Sequence, residues 1–147
     1  MTTGKAALRR RRPVNDKQTE PATRTGPHYS PAMVHGGLVF VSGQLPIEPE
    51  TGRRLTDAPI EAQVLQALQN LAAILTANGS ALDRVLKVTV YVADIALWDR
   101  VNAVYAGFFG PHRPARSIVP TGPLHFGFLV EIDAIASVGG AQSEQAG

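Results

Sequence analysis

The stretch Arg116 to Ala136, RSIVPTGPLHFGFLVEIDAIA, constrains the fold of this chain more than any other. Its second half alternates. Phe128, Val130, Ile132, Ala134, Ala136 and Val138 share one face, and Leu129, Glu131, Asp133, Ile135 and Ser137 share the other, which is the pattern of a strand buried on one side. A strand this apolar places Glu131 and Asp133 at a rim, an interface or a site, because a carboxylate is costly to bury without a partner. The first half, Arg116–Thr121, reads as a second strand through its β-branched pair Ile118 and Val119. Gly122 and Pro123 supply turn chemistry and Gly127 marks a bend. If the two strands pair around that turn, Arg116 and Glu131 face each other across a hairpin.

At 147 residues the chain is one domain, long enough to bury a real core. It has no cysteine, which excludes disulfides, thiolate nucleophiles and cysteine-based metal sites. No apolar run approaches the ~20 residues of a membrane helix, and the basic N-terminus is not followed by an apolar signal segment. The expectation is a soluble protein of the cytoplasm. The formal charge of +2 hides an asymmetry. Residues 1–25 carry seven basic and two acidic side chains, which leaves 7 of the 14 basic and 10 of the 12 acidic residues, net −3, for the remainder. The body therefore shows no nucleic-acid footprint. Residues 1–25 lack apolar periodicity and read as a disordered tail, as do residues 139–147 at the other end. Arg9–Arg12 is the one run suited to RNA, DNA or an anionic surface, although such blocks are usually solvated.

Between residues 26 and 138 the order reads ββ–α–β–α–ββ. The first hairpin turns at Gly36–Gly37 into the buried strand Leu38–Ser42. A polar loop, Gln44–Leu55, leads to a helix from about Pro59 to Ala77, capped by Asp57 or Thr56 and ended at Asn78–Gly79. Its apolar face is Ile60, Val64, Ala67, Leu68, Leu71, Ile74 and Leu75. The strand Val85–Ala93 turns Leu86, Val88, Val90 and Val92 one way and Val85, Lys87, Thr89 and Tyr91 the other. Asp94 caps a second helix, Leu97 to Phe109, with Leu97, Val101, Val104, Tyr105 and Phe108 inward. The prediction is a two-layer α+β domain, a mixed sheet with two helices on one face. The other face is too apolar to stay in water, so the chain is expected to oligomerise as a closed ring.

Four motifs in order resemble the RidA/YjgF family of imine/enamine deaminases, formerly endoribonuclease L-PSP. Gly26, Pro27, Tyr29 and Ser30 meet its Gly-Pro-x-Tyr-Ser, with His28 at the free position. Ser42 to Pro46 meet its Ser-Gly-Gln-x-Pro. Val101, Asn102, Tyr105, Phe108 and Phe109 meet its helical motif. Pro114 to Ala136 meet its Pro-Ala-Arg-Ser-x-Val and Val-Glu-Ile-Asp-x-Ile-Ala signature. The resemblance implies a chorismate-mutase-like domain, a homotrimer with ligand clefts between subunits, and no metal or organic cofactor. It implies hydrolysis of 2-imino or enamine acids to 2-oxo acids and ammonia. On that reading Arg116 holds the substrate carboxylate bidentately, and Glu131 positions or deprotonates the attacking water. Tyr29 covers the site across the subunit boundary, and Ser42, Asn102 and Ile118 shape it.

Two positions depart from the best-characterised branch of the family. Ile118 stands where that branch has cysteine, and Leu124–His125 replaces its Leu-Pro turn, with Phe126 and Phe128 alongside. His125 reads as an exposed turn residue, yet with two aromatics it points to a larger or pathway-specific substrate. The competing readings are a structural ion pair between Arg116 and Glu131, a trimer that binds carboxylate metabolites without turnover, and an RNA-binding or RNA-cleaving role through Arg9–Arg12.

Overall fold

The computed structural model describes residues 26–139. Strand β1 (Ala32–His35) and strand β2 (Leu38–Gln44) form an antiparallel hairpin in which His35 pairs with Leu38. Only Gly36 and Gly37 lie between them. Both have positive φ, +57° and +74°, the conformation a two-residue turn needs to match strand twist and the reason two glycines stand there. The loop Leu45–Pro59 follows, then helix α1 (Ile60–Ala77), strand β3 (Val85–Val92), helix α2 (Trp98–Phe109), strand β4 (Ala115–Pro120) and strand β5 (Val130–Ser137). The five strands lie in the order β1-β2-β5-β3-β4. Only β3 and β4 run parallel, joined through α2; the other pairs are antiparallel. The expected α+β architecture and element order are those found.

Strand β4 does not pair with β5. β3 lies between them, pairing parallel with β4 and antiparallel with β5. The hairpin expected from Arg116–Ala136 is therefore corrected. Gly122–Pro123 belongs to a longer connection that passes over the end of β3, tied down where Thr121 donates to the Val92 carbonyl and Ala93 to that of Leu129. Sequence adjacency favoured a hairpin; the parallel β3–α2–β4 crossover took the pairing edge instead.

α1 and α2 cover one face of the sheet. Ile60, Val64, Ala67, Leu68, Leu71 and Leu75 of α1 are fully buried against Val39, Val88, Val90, Val130, Ile132 and Ala136. Two polar side chains inside this layer, Gln63 and Asn70, act as braces. The Gln63 amide donates to the carbonyls of Thr56 and Ala58 while its oxygen accepts from Leu129 N–H; Asn70 donates to the carbonyls of Leu45 and Ile47. Each buried amide is thereby satisfied, and each fixes a loop that borders the candidate site. The α1 cap differs from expectation: Pro59 is the N-cap, with no side-chain cap from Asp57 or Thr56, and the Gln63 brace holds that entry instead. Asp94 does cap, accepting from Ala96 N–H at 2.9 Å, but it starts a short 3₁₀ turn, Ile95–Leu97, ahead of α2.

Two β-bulges shape the open face. In β3 an extra residue at Leu86 shifts the register between Val85 and Lys87. Val85 is therefore buried and Leu86 half-exposed, the reverse of the simple alternation. In β2 the register shifts between Val41 and Gln44, so that Ser42 and Gly43 together oppose a single residue of β5. The open face carries Met33, Phe40, Ile135 and Lys87 as one cross-strand row, and Tyr91, Glu131, Thr89 and Asp133 further along. Phe40 is 42 % and Met33 63 % exposed.

Candidate active site

The sequence-predicted residues fall into two groups on opposite sides of the sheet. Arg116 pairs with fully buried Val88, and cross-strand partners share a face, so Arg116 points to the helix side at the β4 edge. Glu131 pairs with Tyr91 on the open side. Within one chain the guanidinium and the carboxylate neither face each other nor share a cavity, which corrects the expectation that they do. An Arg116–Glu131 ion pair inside the chain is ruled out with it.

On the helix side, Arg116 donates from Nη1 to Asn102 Oδ1 at 3.0 Å. Its guanidinium carbon lies 4.6 Å from the centre of the Tyr105 ring and 5.7 Å from that of Trp98. All three partners come from α2, at positions 98, 102 and 105, where helical spacing stacks them along one flank. A cation held by an amide oxygen and two ring faces is oriented but not neutralised. Among the described residues no carboxylate lies within ion-pair distance of it; the ion pairs found there are Arg53–Glu48 and Arg100–Glu61. The cavity in front of it holds about 480 Å³ and is lined by Asn102, Tyr105, Phe109, His112, Arg113 and Arg116, among others. The Tyr105 hydroxyl is buried with no hydrogen-bond partner, and burial pushes its pKa up to about 12 against the pull of the Arg116 charge. It therefore remains a proton donor at neutral pH. Ile118, two residues along β4 on the same side, is partly buried and packs against the core, so it backs the arginine rather than opening a pocket.

On the open side, a smaller cavity of about 260 Å³ is lined by Tyr29, Ser42, Gly43, Leu45, His125 and Glu131. The β2 bulge builds it. A β-carbon at Gly43 would collide with the Glu131 carboxylate, so glycine is the residue that lets this side chain lie over the strand. Burial, and then the neighbouring Asp133, raise the Glu131 carboxyl above the ordinary carboxylate range, with His125 pulling the other way. Asp133 is engaged, accepting from the Tyr91 hydroxyl at 3.0 Å, whereas no hydrogen bond or ion pair reaches the Glu131 carboxylate among the described residues. A partly dehydrated carboxyl with a raised pKa and no partner is suited to accepting and returning a proton. Ser42 is less available than expected, since its hydroxyl donates to the Ser30 carbonyl at 2.6 Å and pins the segment that carries Tyr29. Tyr29 itself is 66 % exposed and closes nothing within one chain.

His125 is exposed, as its turn position implied, but it also borders the Glu131 cavity. Its ring stacks on Phe126, centroids 3.6 Å apart, and the Arg54 guanidinium lies 3.5 Å over the other ring. Phe126 has φ +59°, a left-handed conformation rare for an aromatic residue, held by this sandwich and by its edge contact with buried Phe128. The sequence reading missed Trp98 as a partner of Arg116, and it missed the spatial reasons for Gly43 and Arg113. The only signal for Arg113 was a short, proline-bracketed loop, Gly110–Ala115, with a basic residue inside it. Among the described residues no cluster of histidines, cysteines and carboxylates could hold a metal, and no helix is long and apolar enough to cross a membrane. The basic run Arg9–Arg12 and the rest of the N-terminal tail lie outside the described residues.

Residues 18–138 match the family described as Endoribonuclease L-PSP. The chain is 38 % identical over 120 residues to Reactive Intermediate Deaminase A, chloroplastic, of Arabidopsis thaliana, covering 82 % of this chain and 64 % of that protein. Among solved structures it is similar to the YjgF gene product of E. coli (38 % identity, TM-score 0.71, covering 76 % of this chain and 88 % of that one). It is also similar to E. coli TdcF with bound serine (35 % identity, TM-score 0.71, covering 77 % and 89 %). Fold, motif positions and sequence agree, and the chain belongs to the RidA/YjgF family, also described as endoribonuclease L-PSP.

Proposed function

We propose that this protein hydrolyses reactive 2-imino and enamine acids to 2-oxo acids and ammonia, at a site completed by a second copy of the chain. The observation that carries the reading is the state of Arg116. It is held by Asn102, Tyr105 and Trp98, yet among the described residues no carboxylate neutralises it. A planar guanidinium so placed is a bidentate receptor for a substrate carboxylate. Holding that carboxylate fixes the adjacent C=N carbon for attack. Glu131 of a second copy then takes a proton from water as the C–O bond forms and the π pair moves to nitrogen. The proton returns to nitrogen to give a carbinolamine; the carboxylate then takes the hydroxyl proton as the C=O bond forms and passes it to nitrogen as the C–N bond breaks and ammonia leaves. The apolar open face, with Phe40, Met33 and Ile135, supports association through the side of the sheet that carries Glu131. The homotrimer is the assembly on this reading, with Tyr29 of one copy covering the site of the next.

The name of the Arabidopsis relative supports the reaction class. A second reading, a trimer that binds carboxylate metabolites without turning them over, is favoured by the serine bound in TdcF. RNA cleavage draws on the family's older description and on Arg9–Arg12, which lie outside the described residues. The described residues carry more acidic than basic side chains and offer no histidine beside Arg116 other than His112, which is committed to a backbone carbonyl. The deciding experiment generates imines in situ with an amino-acid oxidase and measures 2-oxo acid release above the spontaneous rate. Turnover that falls to background in Arg116→Ala supports the deaminase. Tight binding of 2-oxo acids by calorimetry with no turnover of any imine selects the binder.

A further inference from the structure

We propose that the Arg116 cavity selects 2-imino acids whose side chain carries a second acidic group, with Arg113 as the specificity-determining residue. The inference rests on the deaminase reading and goes beyond it to the substrate class. One guanidinium suffices for the carboxylate every 2-imino acid shares, and a substrate with an alkyl side chain calls for an apolar wall beyond it. This cavity has a different wall. Arg113 lines it together with Arg116, no acidic residue lines it, and neither arginine is in an ion pair among the described residues. Two guanidinium groups in one concavity, neither in an ion pair among the described residues, form a surplus of positive potential that a monocarboxylate leaves half satisfied. A dianion satisfies it.

The backbone around Arg113 is built to hold it in place. Gly110, at φ +60°, turns the chain sharply out of α2, and Pro111 and Pro114 bracket the loop. His112 Nε2 donates to the Val85 carbonyl at 2.8 Å, fastening the loop to the start of β3 beside the Leu86 bulge. An arginine on a loop fixed at both ends and at its centre loses less freedom on binding than one on a free loop. The cavity on the Glu131 side has no lysine or arginine in its lining, so the second acidic group is recognised on the Arg116 side.

The test compares kcat/KM of the full chain on imines generated in situ from alanine, leucine, aspartate and glutamate. The expected result is a preference for the acidic side chains. Arg113→Gln lowers kcat/KM roughly five- to tenfold for those two and changes the alkyl substrates by less than about twofold. The preference shrinks at about 0.5 M salt, as screening requires. Equal loss on all four substrates, or no loss on any, overturns the proposal while leaving the deaminase reading intact. If the wild-type chain turns over no imine, calorimetry with 2-oxoglutarate and 2-oxobutyrate decides the specificity separately. Tighter binding of the dicarboxylate, lost in Arg113→Gln, sustains it; equal affinities, or an unchanged ratio in the variant, sink it.

Discussion

The two faces of the sheet are made by the same strands, one residue out of step. Val88, Val90, Val92, Val130, Ile132, Ala134 and Ala136 point toward the helices and are all but fully buried. Their neighbours Thr89, Tyr91, Glu131, Asp133 and Ile135 point the other way and lie at intermediate exposure. The first face is finished within one chain, since α1 and α2 close it. The second is not. It holds a carboxyl with a raised pKa, a bulge with a glycine cut-out and a row of exposed apolar side chains. Arg116 sits where the finished layer ends, at the β4 edge, with its charge still unspent. The division separates stability, held on the covered face, from the proposed chemistry, whose groups a single chain keeps apart.

The largest expected effects test that separation. Arg116→Ala and Glu131→Gln are each expected to lower kcat/KM by about 10²–10⁴-fold, since on the proposed reading each removes the carboxylate receptor or the proton carrier rather than a packing contact. Mixing the two inactive variants after dissociation sharpens the comparison. If Arg116 and Glu131 of one site come from different copies, random reassembly restores about a quarter of the wild-type sites. Activity that stays at the level of the separate variants would place both groups in one chain and break the two-sided description.

Gly43→Ala comes next. The added methyl group meets the Glu131 carboxylate, so the carboxylate must swing away from the β2 bulge. The expected outcome is a roughly ten- to hundredfold drop in kcat with binding of a 2-oxo acid nearly unchanged, because Arg116 on the other side is untouched. A KM change without a kcat change would mean that Gly43 shapes binding instead.

The covered face was legible in the sequence because its physics is periodic. The 3.6-residue spacing of Ile60, Val64, Leu68, Leu71 and Leu75 and the alternation in Val130–Ser137 each require a buried side, whatever the topology. The two-residue turn at Gly36–Gly37 was equally local. Pairing across the sheet was not. Nothing in RSIVPTGPLHFGFLVEIDAIA distinguishes a hairpin from a strand pair split by a third strand, since both bury the same residues. The Leu86 bulge erased the simple alternation of β3 for the same reason: an inserted residue is invisible until the partner strand is placed. Arg116 and Glu131 were found by chemistry and motif, but their opposite faces followed from topology. Trp98 and Arg113 come together with Arg116 only through the α2–β4 crossover.

Stability gives a smaller contrast. Leu68→Ala, in the centre of the covered layer, is expected to cost about 2–5 kcal/mol in urea unfolding. Phe40→Ser removes a side chain of comparable size from the open face, where it is 42 % exposed. It is expected to alter the unfolding of the isolated chain far less while shifting sedimentation toward monomer. If Phe40→Ser unfolds the protein as readily as Leu68→Ala without changing association, the open face is a core of its own.

The smallest effect is a pH dependence with a definite sign. Glu131 titrates above the ordinary carboxyl value of 4.5 in the folded chain, because burial and Asp133 disfavour its charge. Below that value the carboxyl is protonated in both the folded and the unfolded chain and favours neither. As pH rises, the unfolded chain loses this proton first, so the native state binds more protons and stability falls until the folded group has also ionised. The carboxyl therefore costs stability at neutral pH, the opposite of a salt-bridged glutamate. Glu131→Gln cannot ionise. Its stability relative to wild type should rise across the window that starts near pH 4.5 and level off above the folded value, even though the variant is expected to be inactive. A wild-type chain that gains on the glutamine variant over that window would mean that Glu131 is paired in the assembly, and that the open face satisfies its carboxylate rather than holding it ready for a proton.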